Sequence, residues 1–418
     1  RALVVKLVDT KDLKSLPLWE CQFESGRGHQ NKKMDKNSIL IIFKDKKKVT
    51  KNQDFWNDKF SKKYNVSHLY LYDHIHHTNK KISELINKKI IELNVGTIVF
   101  EGDHMSSIDY NFINLISKKV KKGFLLGDDS VWHQVNLITA SACDFVLTDP
   151  VSSFKFNELG ISSIFSNVEG NEDIFKDYKH EKTIDVLFFG RDKTDRKDYL
   201  EILDKSNIKY LSVNPYTEES STIEKLAILI NKSKIVINLT KSLNGKRFFN
   251  PSSKFKYGFY FKGRVIMSGL CNTLCVSEHA PSNDILYPNK ELPTFRTKEE
   301  FLQIVKYYLN DEKKLSEDTK TFYKKSNEYS DKNYIETIYN FINNVNTDKK
   351  VRVKIPIWYY YIVISQHFRL RSKLKKYKSY IFQFFDNLTL PLYVLPINLI
   401  LFLRFLPTLI VKKIFNIN

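Results

Sequence analysis

Cysteine is scarce: the 418 residues hold four, Cys21, Cys143, Cys271 and Cys275. So few cannot frame a chain of this length with disulfides. Cys271 and Cys275 have no second Cys or His pair nearby, so they do not make a zinc site. Reduced, buried thiols are expected, and with them a cytosolic compartment. Acid is the next shortage. Asp and Glu number 47 against 67 Lys and Arg, a formal net charge of +20. That excess attracts polyanions: nucleic acid, anionic lipid or phosphorylated substrates. Part of it is a lysine bias spread over solvated faces. No solenoid-type repeat, helix-turn-helix, zinc module or RNA-stacking motif is present, so nucleic acid is not the expected partner. No secretory leader is expected: Ala2–Val8 after Arg1 reads as a first strand. Wholesale disorder is excluded by a hydrophobic content of 42% and an aromatic content of 14%, enough to fill real cores.

What is present is alternation. Leu3–Val8, Ile39–Phe43, Leu69–Asp73, Gly96–Phe100, Gly123–Leu126 and Asp144–Thr148 read as short strands. Ile82–Leu93 and Tyr110–Lys119 carry helical spacing between them. Strand–helix alternation argues for a parallel sheet covered on both faces. The stretch Val168–Thr183 is polar and reads as a linker. A second series then runs through strands Asp185–Gly190, Tyr210–Val213, Lys234–Leu239 and Leu274–Ser277. Its helices are expected at Glu201–Asp204, Ile223–Asn231, Tyr260–Leu270, Phe301–Leu309 and Leu315–Tyr329. The domains expected are 1–175, 184–345, and a tail over 351–418.

The tail changes composition. An aromatic cluster, Trp358-Tyr359-Tyr360-Tyr361, precedes a basic run of Arg369, Arg371, Lys373, Lys375, Lys376 and Lys378. Leu388–Val411 is then almost continuously apolar, long enough for one membrane crossing. Pro391, Pro396 and Pro407 are expected to interrupt a spanning helix. Arg404 would cost about 2.5–3.5 kcal/mol near the bilayer centre. Lys412 and Lys413 make the far flank basic too, so both ends prefer the same side. An in-plane or re-entrant anchor on an anionic membrane is therefore expected, with packing onto the protein itself as the alternative.

The second half carries a family resemblance. Lys262-Gly263-Arg264-Val265-Ile266-Met267, Ser268-Gly269-Leu270-Cys271 and Leu274-Cys275-Val276-Ser277-Glu278 resemble the CgeB-like, spore-maturation branch of GT-B glycosyltransferases. Pro281 to Asp284 and Asn289-Lys290-Glu291 continue the pattern. Upstream, Asp128-Asp129-Ser130-Val131-Trp132, Leu147-Thr148-Asp149-Pro150 with Leu159-Gly160, and Asp185–Arg191 resemble family segments as well. The likeness covers roughly residues 95–340. It implies an α/β GT-B fold: two doubly wound, Rossmann-like domains facing a cleft, here with a membrane-associated helical tail. The implied activity is sugar transfer from a nucleotide-sugar donor on the second domain to an acceptor on the first; the tail adds the expectation of a surface-glycan or lipid-linked acceptor at the inner face of the plasma membrane. One departure stands out. Many retaining members carry two glutamates separated by seven residues; counted from Glu278, the second position is Leu286 and the nearest acid is Asp284.

The leaving diphosphate must be neutralised as the glycosidic bond breaks. Enzymes of the other main glycosyltransferase fold use a metal held by Asp-x-Asp, and that motif is missing, so no metal or cofactor is expected. Cationic side chains and backbone N–H groups take that role. Gly190-Arg191 ends a strand where a helix should begin: glycine admits phosphate closely and Arg191 supplies a bidentate charge. Arg264, with Lys262, either clamps the diphosphate or is a solvated basic pair. Glu278 either accepts ribose hydroxyls or caps a turn. Asp284 is either a sugar-hydroxyl acceptor or an N-cap. A catalytic base is expected from the first domain: Asp128, Asp129 or His104. His133 and His29 are acceptor-side candidates. Two other readings stay open: a GT-B enzyme moving a polyol phosphate onto a lipid-linked polymer, and a non-catalytic basic scaffold or nucleic-acid-binding protein.

Overall fold

The computed structural model describes residues 34–43, 51–102, 108–126, 129–166, 170–190, 195–214, 222–243, 257–259, 261–347, 351, 353–373 and 377–414. The strand expected at Leu3–Val8 lies outside them. The described residues belong to one compact unit, Met34–Asn418.

The first sheet holds β1 (Asp35–Phe43), β2 (Asn65–Tyr70), β3 (Val95–Gly102), β4 (Lys121–Leu126), β5 (Phe145–Thr148) and β6 (Ser163–Phe165). All pair in parallel, in the order β2-β1-β3-β4-β5-β6. Ile39, Leu40, Ile41, Ile42 and Phe43 are all fully buried. A consecutive apolar run buried on both faces is what a sheet with helices on either side requires. Those helices are α1 (Lys51–Ser61), α2 (Asn79–Glu92), α3 (Tyr110–Asn114), α4 (Asp129–Ala140) and α5 (Pro150–Glu158). Two of them start on caps legible in the sequence. The Asp149 carboxylate accepts the Val151 and Ser152 N–H groups with Pro150 in the first turn, and Thr78 accepts the Lys81 N–H. The helix expected over Tyr110–Lys119 stops at Asn114.

The second sheet comprises β7 (Ile184–Phe189), β8 (Tyr210–Val213), β9 (Ser233–Asn238), β12 (Leu274–Glu278) and β13 (Thr294–Phe295), in the order β13-β12-β9-β7-β8. All its pairings are parallel. A separate antiparallel pair joins β10 (Lys241–Leu243) and β11 (Tyr257–Phe259). Its helices are α6 (Asp195–Lys205), α7 (Ile223–Asn231), α8 (Arg264–Leu270), α9 (Pro281–Leu286), α10 (Lys298–Asn310) and α11 (Glu312–Asn327). The helix expected from Tyr260 begins only at Arg264. Close packing of α8 on α11 depends on Gly269, where an added Cβ would overlap the Ser326 side chain.

Helix α12 (Asp331–Asn344) leaves the second lobe and packs Ile335, Ile338 and Ile342 against Ile39, Ile41 and Phe43 of the first sheet. A fully buried ion pair fixes the crossing: Lys59 Nζ lies 2.9 Å from Asp331 Oδ1. Burial pushes the Asp331 carboxyl above its ordinary value, and Lys59 pulls it partly back. Beside it the Asp331 N–H donates to Gly170 O at 2.7 Å, and Lys62 meets Glu172 at 2.8 Å. The stretch read as a linker is thus tied down at its start.

The tail forms α13 (Ile357–Lys373), α14 (Tyr377–Asp386) and α15 (Leu395–Ile414). Tyr360, Ile364, Phe368, Tyr380, Val394 and Leu401 make its own core, while Tyr359 and Val363 pack on Ile138 of α4. The Tyr359 hydroxyl accepts the Tyr110 N–H at 2.8 Å. The α13 side chains His367 and Arg371 reach the first lobe: His367 Nε2 lies 3.1 Å from Asp109 Oδ2, and Arg371 donates to Asn79 Oδ1 and His77 O. The prolines do not act as expected. Pro396 sits in the first turn of α15 and Pro407 lies inside it; only Pro391 falls between helices. A first-turn proline loses no intrahelical bond, which explains Pro396. Among the described residues no helix is long and apolar enough to cross a membrane.

Candidate functional site

The second sheet reverses its winding between β7 and β9. From β7 the chain steps out to β8, then returns across to β9 and continues to β12 and β13. Ligands of such sheets bind at the carboxyl edge beside this point. Gly190 follows β7 there, its N–H donating to Val213 O at the end of β8, 2.9 Å away. Its φ of +155° is a conformation that side-chain-bearing residues rarely adopt. An added Cβ would lie 2.8 Å from a terminal nitrogen of Arg264. Glycine thus leaves the space that the guanidinium occupies.

Arg264 opens α8 and lies over two rings, its guanidinium carbon 5.5 Å from the Phe188 centroid and 5.4 Å from that of Phe189. Both rings end β7, so cation–π contact holds the charge at the strand's carboxyl end. Arg264 also reaches the field of β12: burial pushes the Cys275 thiol up, and the guanidinium opposes that shift. Lys262, half-buried, turns the chain into α8, its carbonyl accepting the Val265 N–H at 3.1 Å.

Glu278 is the last residue of β12, 5% exposed, and its Oε2 accepts the Thr240 hydroxyl at 3.2 Å from beyond β9. A polar chain locks this edge. Asn238 Nδ2 donates to Ser277 Oγ at 2.8 Å, and Ser277 Oγ donates to the Glu278 carbonyl at 2.9 Å. Asn283 Nδ2 reaches the same carbonyl at 3.2 Å. Because β9 separates β7 from β12, Gly190 and Glu278 stand two strand spacings apart, about 10 Å.

Asp284 is neither free for sugar by default nor an N-cap. The cap position of α9 is Ala280, which makes no side-chain bond, and Asp284 lies inside the helix. Its Oδ2 is 2.9 Å from His279 Nε2, which is also 3.0 Å from a guanidinium nitrogen of Arg296. One ring nitrogen cannot donate to the carboxylate and accept from the guanidinium at once, so the tautomer selects between them. His279 and Arg296 were not singled out in the sequence. The only signal was position: His279 follows Glu278, and Arg296 follows β13. Leu286, standing where a second glutamate would be, is buried.

The first-lobe candidates separate. Asp128, His104 and His29 lie outside the described residues, as does Arg191 of the second lobe. Asp129 opens α4, directly after the carboxyl end of β4, and its side chain is likewise outside them. His133, on the same helix, rests its ring 4.9 Å from that of Phe156 of α5. Helix α5 follows the carboxyl end of β5, and it touches α9, which follows the carboxyl end of β12. The two sheets therefore turn their carboxyl edges toward each other. Phe165, Phe261, Tyr329 and Tyr334 pack together where the lobes join. Among the described residues no group of three or more His, Cys, Asp or Glu could hold a metal ion.

Residues 172–329 match the model of a family described as glycosyl transferase-like. The enzyme class carried by that segment is glycosyltransferase. Among solved structures the chain is similar to HepE of Anabaena, determined in complex with UDP and glucose, at 10% identity over 73% of this chain and 99% of that one, with a TM-score of 0.50. It is also similar to a sucrose-phosphate synthase from Thermosynechococcus elongatus at 8% identity, over 75% and 100% of the two chains, TM-score 0.49. No curated protein sequence matches. The HepE likeness extends over both lobes and shows the fold, the two-sheet α/β arrangement of GT-B proteins.

Proposed function

We propose that the protein transfers a sugar from a nucleotide-sugar donor held on the second lobe to a glycan or lipid-linked acceptor presented at the inner face of the plasma membrane. The observation that carries this reading is the close approach of Arg264 to Gly190 at the winding reversal of the second sheet, with Glu278 ending β12 on the same carboxyl edge. In the reaction an acceptor hydroxyl oxygen bonds to the anomeric carbon and the bond from that carbon to the diphosphate oxygen breaks. The hydroxyl proton passes to a base of the first lobe, for which Asp128, Asp129 and His104 remain the candidates. Arg264 neutralises the leaving diphosphate, without a metal, and the close approach at Gly190 admits it. Glu278 orients the donor through hydroxyl groups, its carboxylate placed by Thr240. The CgeB-like branch remains the finer family reading, supported by the order of motifs from Asp185 to Glu291. UDP bound to HepE, whose fold this chain shares, makes UDP the first nucleotide to try.

Calorimetry tests the site. Arg264→Ala should weaken UDP binding at least about 100-fold, the loss of roughly 2–3 kcal/mol of charge-assisted contact, while the thermal melt stays cooperative. Unchanged UDP affinity would sink the assignment. Turnover assays with nucleotide sugars beside nucleotide-activated polyols identify the transferred group. EDTA should leave turnover intact.

A further inference from the structure

The tail buries a polar cluster as well as its apolar core, and it leaves apolar side chains outside. Between α14 and α15 the buried side chains include Gln383, Asn387 and Asn398, which bond one another: Gln383 Nε2 donates to Asn387 Oδ1 at 2.8 Å and Asn387 Nδ2 to Asn398 Oδ1 at 3.0 Å. Asn398 in turn donates to Phe384 O at 3.0 Å. The outward residues are apolar. On α14 they are Ile381, Phe382 and Phe385; on α15, Leu399, Ile400 and Leu403, each 46–60% exposed. Spacings of three and four place each trio on one helical stripe. Leu392, in the connection, is 80% exposed. Helices facing water carry the opposite pattern, so water is not what these stripes are made to meet.

Charge identifies the occupant. Residues 351–418 contain eleven Lys and Arg and a single acid, Asp386, a surplus of ten from a chain whose net charge is +20. Asp386 is itself turned inward, its carboxylate accepting the Lys80 N–H at the start of α2. Arg369, Lys378 and Arg404 are exposed near the stripes. Outward apolar side chains with basic flanks fit an anionic bilayer surface; a polynucleotide would leave the apolar stripes wet. The one-sided stripes match helices lying in the interface.

We infer that α14 and α15 form an interfacial docking face for anionic membrane, lying in its plane and holding the first lobe beside it. The rigid attachment of α13 to that lobe through Tyr359, His367 and Arg371 transmits the orientation. The inference deepens the membrane part of the reading above and does not depend on donor binding.

The test is sedimentation of the full chain with phosphatidylcholine vesicles, with and without phosphatidylglycerol. Binding to anionic vesicles should be at least about tenfold tighter than to neutral ones, from roughly 1 kcal/mol per basic side chain near the surface. The variant Phe382→Ser/Phe385→Ser/Leu399→Ser/Leu403→Ser changes exposed positions only. It should keep its melt and its UDP affinity and lose vesicle binding about 100-fold or more. Wild-type protein left in the supernatant with both vesicles would overturn the inference, as would a variant that still sediments. Light scattering guards the other occupant: a wild-type dimer that the variant splits, without vesicle binding, assigns the face to a second copy instead. Loss of UDP binding with vesicle binding intact would strike the donor reading alone.

Discussion

Lys182 shows how one side chain sets a pH response. Its Nζ donates to Thr273 Oγ1 at 2.6 Å and to Asn272 O at 3.2 Å, but burial pushes it down to about 8 from an ordinary 10.5. Between those two values the unfolded chain holds a proton that the folded one has released. Stability therefore rises with pH across that window, by at most about 1.4 kcal/mol per unit. Below pH 8 the cost of the buried charge is present in full. Denaturant melts at pH 8 and pH 10 should show the gain, and Lys182→Met should remove it. At the donor site Gly190→Ala should combine backbone strain with displacement of the Arg264 guanidinium, lowering UDP affinity by about tenfold or more. Arg264→Lys should lose the paired donors and the planar stacking on Phe188 and Phe189. Gly190 and Glu278 were legible because each stands where an apolar run stops, and Arg264 because one begins after it. His279, Asp284 and Arg296 were not legible as a group, because Arg296 follows β13, whose two residues leave no periodic signal.

Among the elements, α12 depends on a partner distant in sequence. Its Asp331 is buried with Lys59 of α1, and neither side chain reaches water. Lys59→Met should leave an uncompensated carboxylate and cost about 3–5 kcal/mol, whereas the double change to Met and Leu should recover much of it. Paired urea melts of the two variants check this. The sequence supports a helix here through Ser330, whose hydroxyl accepts the Asn333 N–H, and through apolar Ile335, Ile338 and Ile342. Nothing in that stripe says which sheet it covers, since any half-exposed parallel sheet would accept it. The short strands β6, β10, β11 and β13 escaped for a related reason: two or three residues cannot display a period of two.

At the scale of the molecule the tail is structural for the first lobe. The Tyr359 hydroxyl and the His367 and Arg371 side chains close onto residues of α2, α3 and α4. Burial holds Arg371 down at about 10, opposed by Asp386. Deleting residues 353–418 should uncover Tyr110 and Ile138 and lower the melting temperature by about 5 °C or more; differential scanning calorimetry reads this directly.

The sequence by itself determined two alternating series of strands and helices, hence two parallel sheets, and it put a glycine, an arginine and a glutamate at the ends of the second series. Those features are local: strand and helix periods, caps and turn residues act over a few positions. Tertiary structure alone decided that α12 returns to the first sheet, that His279 meets Arg296, and that the tail buries Asn387 and Asn398 while Leu399 and Leu403 face outward. Each depends on which surfaces meet across long stretches of chain, and an apolar stripe specifies that it must be covered, not by what.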